Sequence, residues 1–223
     1  RLASCESAMS LADALLGRGI TPATKGSLHL ICTPIGNLGD LTLRALRTLE
    51  TLDLLYCEDT RTTGVLLKAA GLSVRTRSLT EHNEAERIAS VLAGLAAGDA
   101  VGLVSDAGAP LLSDPGERLT RAVVDAGHPV VPIPGASAPV AALIGSGLAP
   151  VPHAFHGFAP RKAGALRDLL EAYREPAITS IFFESPNRID RLLERFAEHC
   201  DPVREVVVAR ELTKRFETFH RGT

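Results

Sequence analysis

The segment from Val101 to Gly116, VGLVSDAGAPLLSDPG, constrains the fold of this chain more than any other. Its first four residues predict a short buried strand, because they are apolar or small and run without a charge. The stretch Ser105–Ala109 that follows has little side-chain bulk, so its backbone can touch a flat or extended molecule. Open α/β sheets bind ligands beyond the carboxyl ends of their strands, and this loop therefore predicts a ligand site.

The end of the same segment, SDPG, predicts the start of a helix. Pro115 suits the first helical position, with Ser113 or Asp114 as the cap. Turn and capping chemistry alone would explain Ser113 and Asp114. Asp106 precedes no obvious helix, which favours a functional role for that carboxylate.

Short apolar runs alternate with amphipathic helices along most of the chain, a pattern typical of a largely parallel α/β sheet. The predicted strands of this part span residues 28–32, 54–57, 74–79, 101–104 and 129–133. The predicted helices span residues 41–52, 62–70, 83–97, 117–126 and 137–147. These elements make up an N-terminal domain over residues 26–149.

A change in composition at the proline-framed segment VPHAFHGFAP, residues 151–160, places the domain boundary at residue 150. Beyond it, helices at 162–173 and 186–199, strands at 177–183 and 203–210 and an edge segment at 216–221 predict a smaller mixed-sheet domain. This second domain, 150–223, looks truncated. Residues 1–25 show a short helical pattern with Leu11, Ala14 and Leu15 before a linker, and we expect them to lie outside the fold.

The bulk properties exclude several classes of protein. The formal net charge of −2 over 223 residues argues against sequence-independent binding of polyanions, although a local basic patch remains compatible with RNA. No apolar run reaches the roughly 18 residues that span a bilayer, and no signal-peptide core is visible, so we expect a cytoplasmic protein that does not contact membranes.

The four cysteines form no C-x-x-C pair, and the seven histidines form no metal-binding motif. Cys32 and Cys57 are predicted to be small core residues.

Two polar clusters follow predicted strands. The first is Thr33–Asp40, TPIGNLGD, which occupies the position of a dinucleotide-binding glycine loop but lacks the G-x-G-x-x-G order. Glu58 and Asp59, at the end of the next strand and about 20 residues on, would suit a ribose-binding acid, so a nucleotide-binding domain is one alternative. The second is Glu58–Arg61, EDTR, in which Asp59 or Thr60 could simply cap a helix.

Further polar groups follow other strands. His82, in the segment EHNE, is a candidate for proton transfer near neutral pH, although a surface histidine is the commoner outcome. PGASA at 134–138 opens a helix with small residues. Local positive charge comes from Arg161-Lys162 and Lys214-Arg215. Either pair is suited to binding phosphate, and the alternative is that it forms a solvated face.

Eight motifs occur in one order from Leu28 to the end of the chain: TPIGNLGDLTLRAL, EDTR, EHNE, SDAGAPLLSDPG, PGASA, GF-x-PRK, ESPNR and RELTK. This run resembles the ribosomal RNA small subunit methyltransferase I family, a branch of the tetrapyrrole methylase superfamily. The resemblance implies a two-domain α/β enzyme that binds S-adenosylmethionine between its domains. It also implies methylation of the ribose 2′-hydroxyl of a cytidine in the decoding centre of 16S ribosomal RNA, within the 30S subunit, and a homodimer.

Carried onto this chain, the resemblance implies a cofactor pocket formed by Pro34, Ile35, Gly36, Ser105, Asp106, Ala107, Gly108, Ala109, Ser137, Ala138, Phe183 and Ala209. Two positions depart from the family pattern, since Asn187 stands where histidine is usual and Ala136 where proline is usual.

Methyl transfer to a hydroxyl requires alignment above all, and a nearby base would help because a ribose hydroxyl is a weak nucleophile. The candidates for that base, left unranked, are His82, Glu58, Asp59 and Glu211. The candidates for contacts with RNA phosphates are Arg61, Arg161, Arg188 and Lys214. Two alternatives stay open: a methyltransferase of tetrapyrrole precursors, and a ribosome-binding protein without turnover.

Overall fold

The computed structural model describes residues 20–173 and 178–223. The chain divides into two compact units, one ending at Ala136 and the other running from Ser137 to Thr223. The helical pattern predicted around Leu11, Ala14 and Leu15, and Cys5, lie outside the described residues.

The first unit is built on a five-stranded parallel sheet, as the alternating pattern predicts. Its strands are β1 Leu28–Ile31, β2 Leu54–Cys57, β3 Thr76–Ser78, β4 Val101–Val104 and β5 Val130–Ile133. Their order across the sheet is β3-β2-β4-β1-β5, and every neighbouring pair is parallel. The carboxyl ends of β1, β2 and β4 therefore meet at one edge.

Four helices cover the two faces of this sheet: α1 Leu43–Glu50, α2 Thr60–Ala69, α3 Glu84–Ala96 and α4 Glu117–Asp125. Adjacent residues of a strand point to opposite faces. On β2, accordingly, Tyr56 packs with residues of α3 and α4, and Leu55 packs with residues of α1 and α2. Both faces are buried, which explains why the central strands β2 and β4 carry no charged residue.

Helix α4 begins at Glu117, as the predicted range 117–126 has it, but its cap differs from the prediction. Its cap is Gly116 at φ +122°, followed by Glu117, so the prediction of Pro115 at the first position with Ser113 or Asp114 as cap is wrong. A Cβ at position 116 would lie 2.5 Å from Leu103 Cδ2. Close packing on β4, together with the positive φ, therefore requires glycine here.

The second unit contains two separate strand pairs. β6 His153–Phe158 and β7 Thr179–Phe183 are parallel, and β8 Val206–Arg210 and β9 Thr218–Gly222 are antiparallel. Its helices are α5 Ala138–Ser146, α6 Ala163–Ala172 and α7 Ile189–His199. Parallel and antiparallel pairing both occur, as expected for a mixed domain, but in two sheets rather than one.

The segment interpreted as a boundary, residues 151–160, contains strand β6. Helix α5 contacts β7, β8 and β9, so the compact units divide before α5, whereas the boundary expected from composition falls after it. Within residues 20–173 and 178–223 no helix is long and apolar enough to cross a membrane. Cys57 is fully buried on β2, as predicted.

Candidate active site

Two loops are joined by backbone hydrogen bonds at the carboxyl edge of the first sheet. The Thr33 amide donates to the Gly108 carbonyl at 2.9 Å, and the Gly108 amide donates back to the Thr33 carbonyl at 3.0 Å. The Thr33 hydroxyl also donates to the Ser105 carbonyl at 3.3 Å. The predicted ligand loop after β4 is thus held against the loop after β1.

Small residues are required where these loops approach each other. Gly108 has φ +84°, and a Cβ there would lie 3.1 Å from Ile35 Cγ2. Ser105 is buried, and its hydroxyl lies 3.4 Å from the carbonyls of Ala107 and Gly108. Asp106 and Ala107 remain exposed. This part of the sheet edge therefore presents backbone and one carboxylate to solvent.

Asp59 links two strand ends and caps a helix. Its amide donates to Asp106 Oδ1 at 3.1 Å, and its own carboxylate accepts from the Arg61 amide at 2.8 Å at the start of α2. The Arg61 guanidinium pairs with the same carboxylate at 2.7 Å. These hydrogen bonds from Arg61 lower the pKa of Asp59 to about 2. A carboxylate with so low a pKa is a weak base, so Asp59 serves α2 better than it would serve proton transfer.

Glu58 has the opposite electrostatic environment. Burial raises the pKa of its carboxyl, and the negative charges of Asp106, Asp114, Glu81 and Asp59 raise it further. Burial also raises the pKa of Asp114, against a hydrogen bond from Ser105. Of the two neighbouring acids Glu58 and Asp59, Glu58 is therefore the one whose surroundings favour taking up a proton.

The segment EHNE mainly organises structure. The Glu84 carboxylate is buried and accepts the Leu119 amide at 2.9 Å, at the start of α4. The Asn83 side chain accepts from the Thr80 amide at 2.8 Å. His82 is exposed. The sequence analysis missed the role of Glu84, because an acid in the first turn of a helix is ordinary and does not indicate a contact with Leu119.

A pocket lies between the β1 loop, helix α2 and the β4 loop, and we call it the Leu38 pocket. Its lining consists of Thr33, Pro34, Gly36, Leu38, Thr62, Thr63, Val65, Leu66, Ser105 and Asp106. Four of these, Pro34, Gly36, Ser105 and Asp106, were predicted as cofactor residues. The α2 residues were missed, because the sequence analysis interpreted them only as a helix face.

The candidates in the second unit lie on three of its elements. Phe183 ends β7, with its ring centroid 4.9 Å from that of Phe155 and 5.6 Å from that of Phe158. Ala209 lies on β8 opposite Phe219. Ser137 and Ala138 begin α5, and the Ser137 side chain makes no capping hydrogen bond.

Three of the four candidate RNA contacts pair with a carboxylate. Arg61 pairs with Asp59, Arg188 lies 3.0 Å from Glu184, and Lys214 lies 3.2 Å from Glu211. Arg188 also donates to the Ala159 carbonyl, so it holds β6 to the start of α7. Arg161 is exposed. Arg61 and Lys214 keep exposed surface that a phosphate could reach.

Comparison with known proteins identifies the family. The family model of Tetrapyrrole (Corrin/Porphyrin) Methylases matches residues 27–223. A protein of Streptococcus pyogenes serotype M3 named Ribosomal RNA small subunit methyltransferase I is 48% identical over 201 residues, which is 90% of this chain and 69% of the relative. Proteins of the same name from Mesorhizobium japonicum and Escherichia coli O157:H7 are 48% and 44% identical over 88% of this chain. The chain belongs to the ribosomal RNA small subunit methyltransferase I family.

Solved structures agree with the fold of this ribosomal RNA small subunit methyltransferase I family member. A uroporphyrin-III-C-methyltransferase from Thermus thermophilus superposes with a TM-score of 0.60 at 22% identity, covering 88% of this chain and 84% of that one. The cobalt precorrin-4 methyltransferase CbiF gives 0.64 at 18% identity, covering 89% and 85%. At these identities the likeness shows the shared fold alone.

Proposed function

We propose that this family member transfers a methyl group from S-adenosylmethionine to the ribose 2′-hydroxyl of a cytidine in the decoding centre of 16S ribosomal RNA. The observation that carries the proposal is the identity of 44–48% over about nine tenths of the chain to proteins named Ribosomal RNA small subunit methyltransferase I. The small-residue loops at the carboxyl edge of the sheet support it, because open α/β sheets bind their ligands there.

The first unit fits part of such a cofactor. The positive φ of Gly108 and the 3.1 Å that would separate a Cβ there from Ile35 Cγ2 both disfavour a side chain, so backbone groups form the surface that a flat ligand would touch. In the proposal Pro34, Ile35 and Gly36 and the stretch Ser105–Ala109 hold the cofactor from this unit. Ser137, Ala138, Phe183 and Ala209 are the candidates from the second unit. S-adenosylmethionine, when bound, supplies the methyl group and the leaving group.

The residues of the chain then contribute alignment and one proton transfer. The Asp59 amide fixes one carboxylate oxygen of Asp106, and a carboxylate held in this way can orient a ligand donor. Glu58 accepts the proton of the attacking hydroxyl, because its raised pKa makes it a better base than a solvated glutamate. His82 and Glu211 remain candidates for that role, and Asp59 is the least suited.

Recognition of the RNA rests on a few phosphates in this proposal. Arg61, Arg161, Arg188 and Lys214 supply positive charge on a chain whose formal net charge is −2. A protein with this balance gains little from counterion release along a naked RNA. We therefore propose the assembled 30S subunit as the substrate, the cytoplasm as the place of reaction and a homodimer as the acting species. Exposed Val140 and Ile144, one turn apart on α5, are compatible with a second copy packing there.

The proposal is tested by mass mapping of 16S ribosomal RNA from a strain that lacks the gene, with and without the gene restored. We expect one ribose methyl group to disappear from a decoding-centre cytidine and to return on restoration. Intact RNA with altered corrinoids would instead identify a tetrapyrrole methyltransferase. An assembly defect with no chemical change would identify a ribosome-binding protein without turnover.

A further inference from the structure

The mouth of the Leu38 pocket exposes two large aliphatic side chains. Leu38 is 60% exposed and Val65 is 71% exposed, although both line a concave site. Exposed apolar groups at a pocket mark a binding surface, because water contact with them is unfavourable until a ligand covers them. A flat ring inserted between the two would remove both from water.

The other end of the pocket is acidic. Asp106 lines it, with Oδ1 held by the Asp59 amide at 3.1 Å. An ionised carboxylate only accepts hydrogen bonds, and its two oxygens have room for further donors. Glu58 and Asp114 interact electrostatically with Asp106, and so does Arg61, whose charge is paired with Asp59. The carboxylates outnumber this one guanidinium, so this end of the pocket favours an uncharged or cationic group that donates hydrogen bonds.

These properties define the occupant. It has a flat ring with apolar faces and an amino group, and its phosphates stay outside the pocket. We propose that the Leu38 pocket receives the target nucleobase, which lies between Leu38 and Val65 and donates its exocyclic amino group to Asp106. The inference rests on the proposed RNA methylation and adds the residues that select the base.

Cytosine fits this arrangement and uracil does not. Cytosine carries an amino group at position 4, whereas uracil carries a carbonyl oxygen there, which would face the Asp106 carboxylate without a proton between them. A base held in the pocket also fixes the attached ribose, so that the 2′-hydroxyl is presented in one orientation. The pocket would thus serve both specificity and alignment.

Adenine is the other amino-bearing ring in the reaction, because the cofactor carries one. The position of the pocket favours the target base. The pocket lies on the α2 side of the β1 loop. The contact of Gly108 with Ile35 and Ala136, where the proposed function places the cofactor, lies toward β5. Asp106 borders both regions, so variants of Leu38 and Val65 separate the two ligands better than variants of Asp106.

The test uses the full chain with Val65→Asp and Leu38→Ala, and Val124→Asp as the matched control. Val124 is 52% exposed on α4 in the same unit and lies outside the pocket lining. Methylation of 30S subunits, calorimetry with S-adenosylmethionine and thermal unfolding are measured for each. We expect Val65→Asp and Leu38→Ala to lower kcat/KM for 30S subunits about tenfold or more, with unchanged cofactor affinity and unfolding temperature. Val124→Asp should match the wild type.

A second arm uses 30S subunits with uridine at the target position. The wild type should methylate them about tenfold more slowly or worse than the cytidine-bearing particle. An equal loss of cofactor affinity in the pocket variants would place the cofactor adenine there and overturn the inference. Wild-type rates in both pocket variants would overturn it as well. A wild type that methylates no 30S subunit would refute the proposed function itself, a result distinct from an active enzyme whose pocket variants are unaffected.

Discussion

The Glu84 carboxylate caps a helix other than its own, because its Oε1 accepts the Leu119 backbone amide at 2.9 Å. Glu84 begins α3, and Leu119 is the third residue of α4, whose own cap Gly116 has no side chain. The first amides of a helix need acceptors, and a negative charge there is favourable. The bond also fixes the end of the loop that runs from Ser105 to Gly116.

Replacing this carboxylate should destabilise the first unit. For Glu84→Ala we expect a loss of about 1–3 kcal/mol in the free energy of unfolding, since a buried amide loses a charged acceptor. Chemical denaturation monitored by circular dichroism measures the change. Glu86→Ala, an exposed residue in the first turn of the same helix, is the control and should cost about 0.5 kcal/mol or less. Equal effects of the two substitutions would show that the Leu119 bond contributes nothing special.

Glu58→Gln should reduce turnover by about 10²–10⁴-fold while cofactor binding persists, because general-base catalysis contributes about that factor. The pKa of Glu58 is raised, so activity should rise with pH through that pKa as the base loses its proton. Glu81→Gln removes one of the negative charges that raise it, and should move this acid limb to lower pH. Single-turnover rates against pH provide the measurement. A Glu58→Gln enzyme with wild-type turnover would transfer the role to His82 or Glu211.

Asp106→Ala should weaken S-adenosylmethionine binding about tenfold or more without unfolding the first unit. The loss of one charge-assisted hydrogen bond, about 1.5–3 kcal/mol, corresponds to that factor. The side chain is exposed, and its one described hydrogen bond is to the Asp59 amide. Calorimetry gives the affinity and thermal unfolding gives the control. Unchanged affinity would remove Asp106 from the cofactor site.

The sequence predicted what depends on local pattern, and missed what depends on contacts between distant segments. The strands at 54–57 and 101–104 were predicted to the residue, because their apolar runs end at charged or small residues. Strand β6 was missed because prolines frame it and suggested a linker. The capping of α4 was missed for a different reason. The Leu119 amide near its start donates to Glu84, 35 positions earlier, and no local signal reports that contact.

The site shows the same division. Residues 105–109 were identified from their small size, and the structure places them at the sheet edge beside the loop after β1. The Leu38 pocket needs α2 packed next to that loop, and only the folded chain reveals that Val65 remains exposed there. The sequence could not rank Glu58 above Asp59, because their pKa values differ through Arg61 and the surrounding carboxylates.

His29 should make the stability of the first unit depend on pH. Its Nε2 accepts the Thr24 amide at 3.0 Å and its Nδ1 lies 3.2 Å from the Val101 carbonyl, so the fully buried ring is neutral with its proton on Nδ1. Burial lowers its pKa, while the unfolded value is about 6.5. The unfolded chain therefore binds the proton first, and this contribution to stability is present above about pH 6.5 and is lost as the pH falls toward the folded pKa. Denaturation of the wild type and of His29→Gln at pH 7.5 and 5.5 checks this, and the variant should lose less stability between the two.

The near-neutral charge predicts the form of the substrate. With 24 basic and 26 acidic side chains, the chain has no excess of positive charge to bind a long phosphate backbone, so counterion release contributes little. The chain can contact only a few phosphates, through Arg61, Arg161, Arg188 and Lys214. These contacts distinguish the substrate only where an assembled particle holds the phosphates at fixed distances from one another. We therefore expect methylation of 30S subunits to be much faster than methylation of protein-free 16S RNA. Incorporation of labelled methyl groups into both substrates at the same salt concentration decides the point. Equal rates would mean that recognition is confined to the nucleotides around the target, and the argument from charge would then be wrong.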